Sequence, residues 1–582
     1  MTLLLMVLVP VIGAAAVLAA AWQGREAVRW TALGTVLATF VLSVDLAARF
    51  DPSRTDDSGR PVLFQSTIDI PWLSTAPSAD AAASTDASAG AGFDVRFALG
   101  VDGISLWLVC LTALLMIPAV LVSWESIDER PAVFYALMLL LEAGMVGVFA
   151  ALDIVLFYIF FEFTLIPLFF MIGLWGGYDR RWAARKFFIF TLAGSVLTFL
   201  GLLFIVLAHS WMSGAPRLVF SIPRLLEEIP QLVVSSAEHA ALWRAAGPWL
   251  FAALFAGFAV KVPLFPFHTW LPLAHTEAPS AGSILLAGVL LKIGSYGFIR
   301  FLLPLVPAAC LDAVGLVAVL SVVGIIYGAL LALAQDDIKK LVAYSSVSHM
   351  GFCLLGLFAF NAPGLAGGML QMVNHGLSTG ALFALVGMLY ERYHTRDLEA
   401  FGGLARKLPA LSAVFVYVAF SSIGLPGLNG FTGEVLSLAG MFAVHPAYAL
   451  LGLTGIILGA WYMLQLVAMT LYGRLREPPP EGLHFMPAGE AAPAAPSADA
   501  GHDRHHGHGG DAATHTSGHA VPDLTPREWF ALAPLAAVIL WIGLFPQFFL
   551  SRMQPSIDAV VKVVQQEQAR RAESSLEITR ND

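Results

Sequence analysis

Apolar stretches long enough to cross a lipid bilayer recur from one end of this sequence to the other. A bilayer core about 30 Å thick takes about twenty apolar residues per helix, and about fourteen such stretches can be placed. They lie at 1–22, 28–48, 101–123, 131–151, 152–174, 186–209, 245–266, 280–301, 310–334, 338–360, 364–390, 409–442, 446–473 and 528–550, hereafter spans 1 to 14. Lipid offers no partner for backbone polar groups, so a spanning segment of this length is a helix. The expected fold is therefore an all-α polytopic membrane protein. Composition agrees, since 58% of the 582 residues are hydrophobic and 13% are charged, against about 25% charge in soluble domains. There is no basic run of the kind nucleic-acid binding needs, so the bilayer is the expected surrounding and nucleic acid is not a partner.

The first span could be taken for a signal peptide, but it lacks a positively charged start and is read as a membrane helix. Cations gather in short loops: "GREAVR", "YDRRWAARK", "DDIKK" and "ERYHTRDLEAFGGLARK". These loops share one side by parity, and the positive-inside rule makes that side cytoplasmic, with both termini outside. The loop after span 2, at about 49–99, carries "STAPSADAAASTDASAGAG" and is expected to be an external linker. The stretch 476–526 is rich in Gly, Ala, Pro and His. Its His502, His505, His506 and His508 invite a metal-binding reading, but that background holds no ligand geometry, so a solvated linker with at most weak metal affinity is expected. Cys110, Cys310 and Cys353 are far apart in sequence and form no metal or cluster motif. The tail after span 14 reads as an external helix lying on a surface or a neighbour.

Ionisable residues at membrane depth carry the functional signal, because they are costly in lipid and mark pathways or partners. Glu162 lies in the middle of span 5, Lys261 near the end of span 7 and Lys292 in the middle of span 8. His349 and His375 lie mid-span in spans 10 and 11, and Glu434 lies in span 12. Taken singly, either histidine could simply pack against a polar neighbour, and Glu162 with Lys261 could be only a structural ion pair. Taken together, the six suit a proton path: burial disfavours the charged form of each group, a nearby opposite charge favours it, and lysine, glutamate and histidine can all exchange a proton.

Two spans also contain helix breakers. Pro263 and Pro266 follow Lys261 in span 7, and Gly424, Pro426, Gly427 and Gly430 precede Glu434 in span 12. Broken helices at membrane depth are tolerated inside protein or beside water, and transporters aim their ends at ions. The breaks are five spans apart, which suggests two five-helix repeats, spans 4–8 and 9–13, inverted relative to each other because five is odd. The expected organisation is thus 1–130 for the first three spans, 131–301 and 302–475 for the repeats, 476–526 for the linker and 527–582 for the last span and tail.

The motifs "FFEFTLIP", "KVPLFPFHTWLPLAHTEAPSAGSILLAGVLLKIGSYG", "DDIKKLVAYSSVSHMGF", "NHGLSTGALF" and "GLPGLNGFTGE" resemble the proton-translocating subunit M family of respiratory complex I, NADH:quinone oxidoreductase, from about residue 100 to 475. The resemblance implies an antiporter-like fold of fourteen helices with discontinuous helices 7 and 12. It implies that Glu162 is the essential glutamate, Lys261 and Lys292 the half-channel lysines, His349 and His375 the central histidines and Glu434 the exit glutamate. It also implies a bacterial inner-membrane location, homologous antiporter-like subunits on either side, and FMN, iron-sulfur clusters and quinone in partner subunits, with no cofactor in this chain. Two related readings stay open, a subunit of a multisubunit cation/proton antiporter or of a membrane-bound hydrogenase. A haem carrier using His349 and His375 lacks a supporting pair of aligned histidines.

Overall fold

The computed structural model of the protein describes residues 1–57, 59, 61–74, 92–215, 217–478 and 521–581. Twelve of its helices are long and apolar enough to cross a membrane. They are spans 1 (Thr2–Gln23), 2 (Arg25–Arg49), 3 (Ser105–Ser126), 4 (Pro131–Ala150), 5 (Ile154–Trp175), 6 (Arg180–Ser213), 7 (Ala237–Lys261), 8 (Ser280–Leu305), 9 (Val314–Leu333), 11 (Ala362–Tyr393), 13 (Pro446–Leu471) and 14 (Pro526–Leu544). The other two expected spans fall short for different reasons. Span 10 is one helix, Ile338–Leu357, made less apolar by Lys339, Lys340 and a serine-rich first half. Span 12 is two short helices, Pro409–Ile423 and Asn429–Val444.

Burial sorts the bundle into an inside and an outside. The apolar windows of spans 8 and 11 are buried throughout, whereas in spans 2, 13 and 14 well under half of the window is buried, as expected of lipid-facing helices. A helix enclosed by other helices can carry charge at mid-depth without meeting lipid.

Three features depart from the sequence expectation. The chain is not wholly helical: Gln65–Ser74 pairs antiparallel with Gly92–Val101, and Arg217–Val219 adds in parallel on the far side of the second strand. The hairpin alternates apolar and polar residues, with Ile68, Ile70 and Trp72 two apart, a strand period that a search for long apolar runs overlooks. A helix at Ile222–Ser235 between spans 6 and 7 buries Ile222, Leu225 and Ile229 along one face. Span 5 is interrupted at Thr164, between Ile154–Phe163 and Leu165–Trp175. Residues 58, 60 and 75–91 of the expected external linker, and His502, His505, His506 and His508, lie outside the described residues.

The tail is a helix, Pro546–Asn581. It buries Phe549, Met553, Ile557 and Val564 and packs against spans 8, 11 and 14 and the residues that follow span 8. Arg571, ten residues before the helix ends, donates to Asp312 at 2.7 Å and to the Ala308 carbonyl at 2.7 Å.

Candidate functional site

The site is assembled where spans 8 and 11 touch. A Cβ on Gly376 would stand 2.7 Å from the Gly288 carbonyl oxygen, so the two backbones meet with only hydrogen between them, the close approach that small residues permit in membranes. His375 and Lys292 flank this contact, and the approach brings their side chains together. Lys292 Nζ donates to His375 Nδ1 at 2.6 Å and to the Ala287 carbonyl. Span 8 is π-helical at Leu286–Leu290 and again at Phe298–Leu302, on both sides of Lys292. Such wide turns recur at functional positions in membrane and soluble helices, and Ala287, whose carbonyl receives the ammonium, lies within the first of them.

From His375 the polar chain continues into spans 10 and 12. The His349 and His375 ring centres are 5.7 Å apart. His349 Nδ1 donates to Glu434 Oε1 at 2.9 Å, and Gln371 Nε2 donates to the same oxygen at 3.1 Å. Ser422 and Tyr462 hydroxyls contact His349 Nε2 at 3.3 and 3.2 Å. Lys292, His375, His349 and Glu434 are all buried. His375 Nε2 is buried without a partner. It borders a polar cavity lined by His349, Asn374, Ser378 and Ser422, among others, with room for about one water.

The break in span 12 is held open by its own polar residues. The first helix ends at Gly424, whose φ of +83° suits glycine far better than any L side chain. Pro426 and Gly427 follow, and the second helix starts at Asn429. Asn429 Oδ1 accepts from the Gly430 amide at 2.9 Å and the Ser421 hydroxyl at 2.5 Å, while its Nδ2 donates to the Asn374 carbonyl at 3.2 Å. The Gly430 amide at the start of the second helix is thereby satisfied, as membrane depth requires of freed backbone groups. Gly430, expected in the break, instead sits in the first turn of the second helix. A Cβ there would stand 2.2 Å from the Ser421 carbonyl oxygen, so its role is to let the two half-helices close on each other.

Lys261 stands apart from this chain. It is the last residue of the first helix of span 7, and the helix resumes only at Leu271–Glu277. Pro263 and Pro266 lie in the gap, and Trp270 Nε1 returns to donate to the Val260 carbonyl at 2.9 Å. Lys261 Nζ has no hydrogen-bond partner and lies 4.4 Å from the centre of the Phe161 ring, a cation over a π face. The sequence reading paired Lys261 with Glu162. In the structure the two make no hydrogen bond: the ammonium sits over the Phe161 ring, and Glu162 Oε1 is buried without a partner. Between Lys261 and Lys292 spans 7 and 8 pack through Phe258 and Val262 against Gly294 and Gly297, an apolar contact.

Four further groups escaped the sequence reading. His275, in the second half of span 7, is fully buried with neither ring nitrogen partnered and stacks on Phe383 at 4.6 Å. It lies in the field of both Lys292 and Lys339. Lys339 was counted among loop cations in "DDIKK", yet it is 6% exposed and donates to the Ala278 carbonyl at 2.5 Å. Gln371 and Asn374 join His375, Ser378 and Thr379 of span 11 in lining the cavity. Their signal was present as polar residues at helical spacing, 371, 374, 375 and 378, one face of one helix. Among the described residues, no group of three His, Cys, Asp or Glu side chains could hold a metal ion.

Residues 151–459 match the family described as NADH:quinone oxidoreductase/Mrp antiporter, TM. The NADH-quinone oxidoreductase subunit M of Rhodobacter capsulatus is 38% identical over 565 residues, 95% of this chain and 94% of that protein. A chain of the structure titled respiratory complex I from Thermus thermophilus with bound NADH superposes with a TM-score of 0.75 at 31% identity, over 97% of this chain and all of that one. A chain of the Mrp complex from Dietzia superposes with a TM-score of 0.70 at 20% identity, over 97% of this chain and 52% of that one, a likeness of fold alone. A multi-pass membrane bundle, a family domain across its two broken helices and near full-length identity to subunit M proteins all agree: the chain belongs to the NADH:quinone oxidoreductase/Mrp antiporter membrane family.

Proposed function

We propose that this chain is the proton-translocating subunit M of a bacterial NADH:quinone oxidoreductase, carrying protons across the inner membrane beside homologous antiporter-like subunits. The observation that carries the reading is the buried line from Lys292 through His375 and His349 to Glu434, hydrogen-bonded at both ends and joined at the His375–His349 step by a cavity with room for about one water. Redox chemistry belongs to partner subunits holding FMN, iron-sulfur clusters and quinone. This chain contributes sites where a proton can be held and passed.

In the proposed sequence Lys261 holds a proton from the cytoplasm while the field of Glu162 stabilises its charge. Weakening that field, driven by quinone reduction elsewhere in the complex, releases the proton toward Lys292. That step crosses the apolar contact between spans 7 and 8 and needs water to enter it. From Lys292 the proton passes along His375 and His349 to Glu434, which opens outward beside the Gly424 break. Lys339 and His275 lie on the approach to Lys292 and are candidates for cytoplasmic supply to this second half. Moving one charge against 100 mV requires about 2.3 kcal/mol, and a tenfold change in proton affinity is worth about 1.36 kcal/mol. Modest changes in the surroundings of one lysine therefore suffice.

The same reading takes the bundle as fourteen spans with spans 4–8 and 9–13 as inverted repeats, and places both termini outside. Breaks after Lys261 and before Glu434, five spans apart, support the repeat; the cationic loops support the orientation. Replacing Lys261 by alanine in the assembled complex is expected to abolish NADH-driven proton pumping while NADH oxidation by a soluble acceptor persists. Pumping at the wild-type rate would overturn the scheme.

A further inference from the structure

One buried acid has no part in this relay. Glu142 stands in the middle of span 4, in "LMLLLEAGMVGVFA". It is fully buried, and neither of its carboxylate oxygens has a hydrogen-bond partner. Nor is it a second counter-ion for Lys261. Cβ atoms on Gly144 and Gly147 would strike Phe163, Thr164 and Phe160 of span 5, so that side of span 4 faces the Glu162 segment. Glu142 is two residues from Gly144, about 200° around the helix, and so points away from span 5. Elsewhere span 4 packs mainly against spans 1, 2 and 3, and near its Phe149 end it meets the strand Gly92–Val101 and the Leu291–Gly297 segment of span 8, where the Tyr296 hydroxyl donates to the Phe149 carbonyl.

The same side of span 4 carries Tyr135, seven residues or about 10 Å nearer one end of the helix. Tyr135 is fully buried and its hydroxyl has no partner. It lies in the field of Arg29, Glu26, Arg527 and Glu391. Arg527 pairs with Glu125 at 3.0 Å, and the Glu26 and Glu125 side chains are mostly exposed. A line therefore runs from the exposed Glu26 and Glu125, past the mostly buried Arg29, Arg527 and Glu391, through an unpartnered phenol, to an unpartnered carboxyl at mid-depth. An ion at Glu142 would be a lone charge in an apolar interior, and a neutral acid would leave its hydroxyl unsatisfied. Water reaching Glu142 from the Tyr135 side relieves both, and a carboxyl that water reaches exchanges its proton.

We propose that Glu142 is an additional proton-binding site of this subunit, off the Lys261 to Glu434 line, which takes up and releases a proton through water at Tyr135 during turnover. This rests on the proton-translocating reading above. The test is infrared difference spectroscopy of the assembled complex, oxidised against NADH-reduced. A protonated-carboxyl band is expected that shifts in deuterium oxide, disappears in Glu142→Gln and forms several-fold more slowly in Tyr135→Phe. A band that persists in Glu142→Gln, that resists deuterium in the wild type, or that forms at an unchanged rate in Tyr135→Phe overturns the proposal, and so does the absence of any such band. If Glu142→Gln assembles poorly, the wild-type and Tyr135→Phe spectra still decide. Pumping separates the two readings. Wild-type pumping in Glu142→Gln with none in Lys261→Ala removes this site and leaves the relay, whereas wild-type pumping in Lys261→Ala removes the relay itself.

Discussion

His375 is the joint of the proposed relay, and two substitutions there separate holding a contact from carrying a proton. Leucine removes both functions. It strips Lys292 Nζ of its 2.6 Å bond to the imidazole and leaves only the Ala287 carbonyl. A lost hydrogen bond to a charged group costs about 1.5–3 kcal/mol. If that loss appears in the barrier for moving the proton, it slows transfer by about 10- to 150-fold, at about 1.36 kcal/mol per factor of ten. Glutamine keeps an oxygen able to accept from Lys292 but has no site that binds and releases a proton near neutral pH. Both variants are therefore expected to lose at least about 90% of NADH-driven acidification, a tenfold fall. The assay is a pH-sensitive dye in proteoliposomes carrying the whole complex, with NADH oxidation by a soluble acceptor as the check on assembly. Wild-type pumping by His375→Gln would show that only the hydrogen bond matters and would refute proton transfer through the imidazole.

Two further substitutions test how the site is held. Arg392 at the end of span 11 grips Glu528 through two nitrogens at 2.6 and 2.8 Å and also binds the Pro522 and Asp523 carbonyls. Arg392→Ala leaves Glu528 buried without its cation and is expected to cost about 3–5 kcal/mol, seen as a lower thermal transition of the purified complex. Gly424→Ala forces an L residue into a left-handed conformation, at about 1–2 kcal/mol, and its Cβ would stand 3.2 Å from Glu434 Oε2. Gly427→Ala meets the same backbone strain at φ +91° but has open space around it. Pumping is expected to fall further in Gly424→Ala than in Gly427→Ala, and equal losses would mean that Glu434 does not depend on the break.

Much of this was legible in the sequence because lipid makes the pattern strict. Long apolar runs gave the spans, and Lys292, His349, His375 and Glu434 stood out as ionisable residues in runs where such residues are costly. Reach was harder to read. That Lys292 meets His375 depends on Gly288 and Gly376 letting two backbones touch, and that Lys261 rests over the Phe161 ring with no hydrogen-bond partner depends on how spans 5 and 7 pack. Neither follows from spacing along the chain. Lys339 was misread because its position at a helix start resembles a loop; burial comes from span 7, which folds back over it at Ala278. The hairpin at Gln65–Ser74 and Gly92–Val101 escaped because a period of two leaves no long apolar run. In the sequence Gly430 reads as a helix breaker because glycine marks both broken backbone and tight packing, and only the Ser421 carbonyl beside it tells the two apart.

The central claim is that protons leave this subunit by way of Glu434. Its most direct test is the number of protons translocated per NADH oxidised, measured in proteoliposomes with the complex carrying Glu434→Ala. The account predicts a lower ratio than the wild type in a complex that still assembles and still oxidises NADH; an unchanged ratio would contradict it.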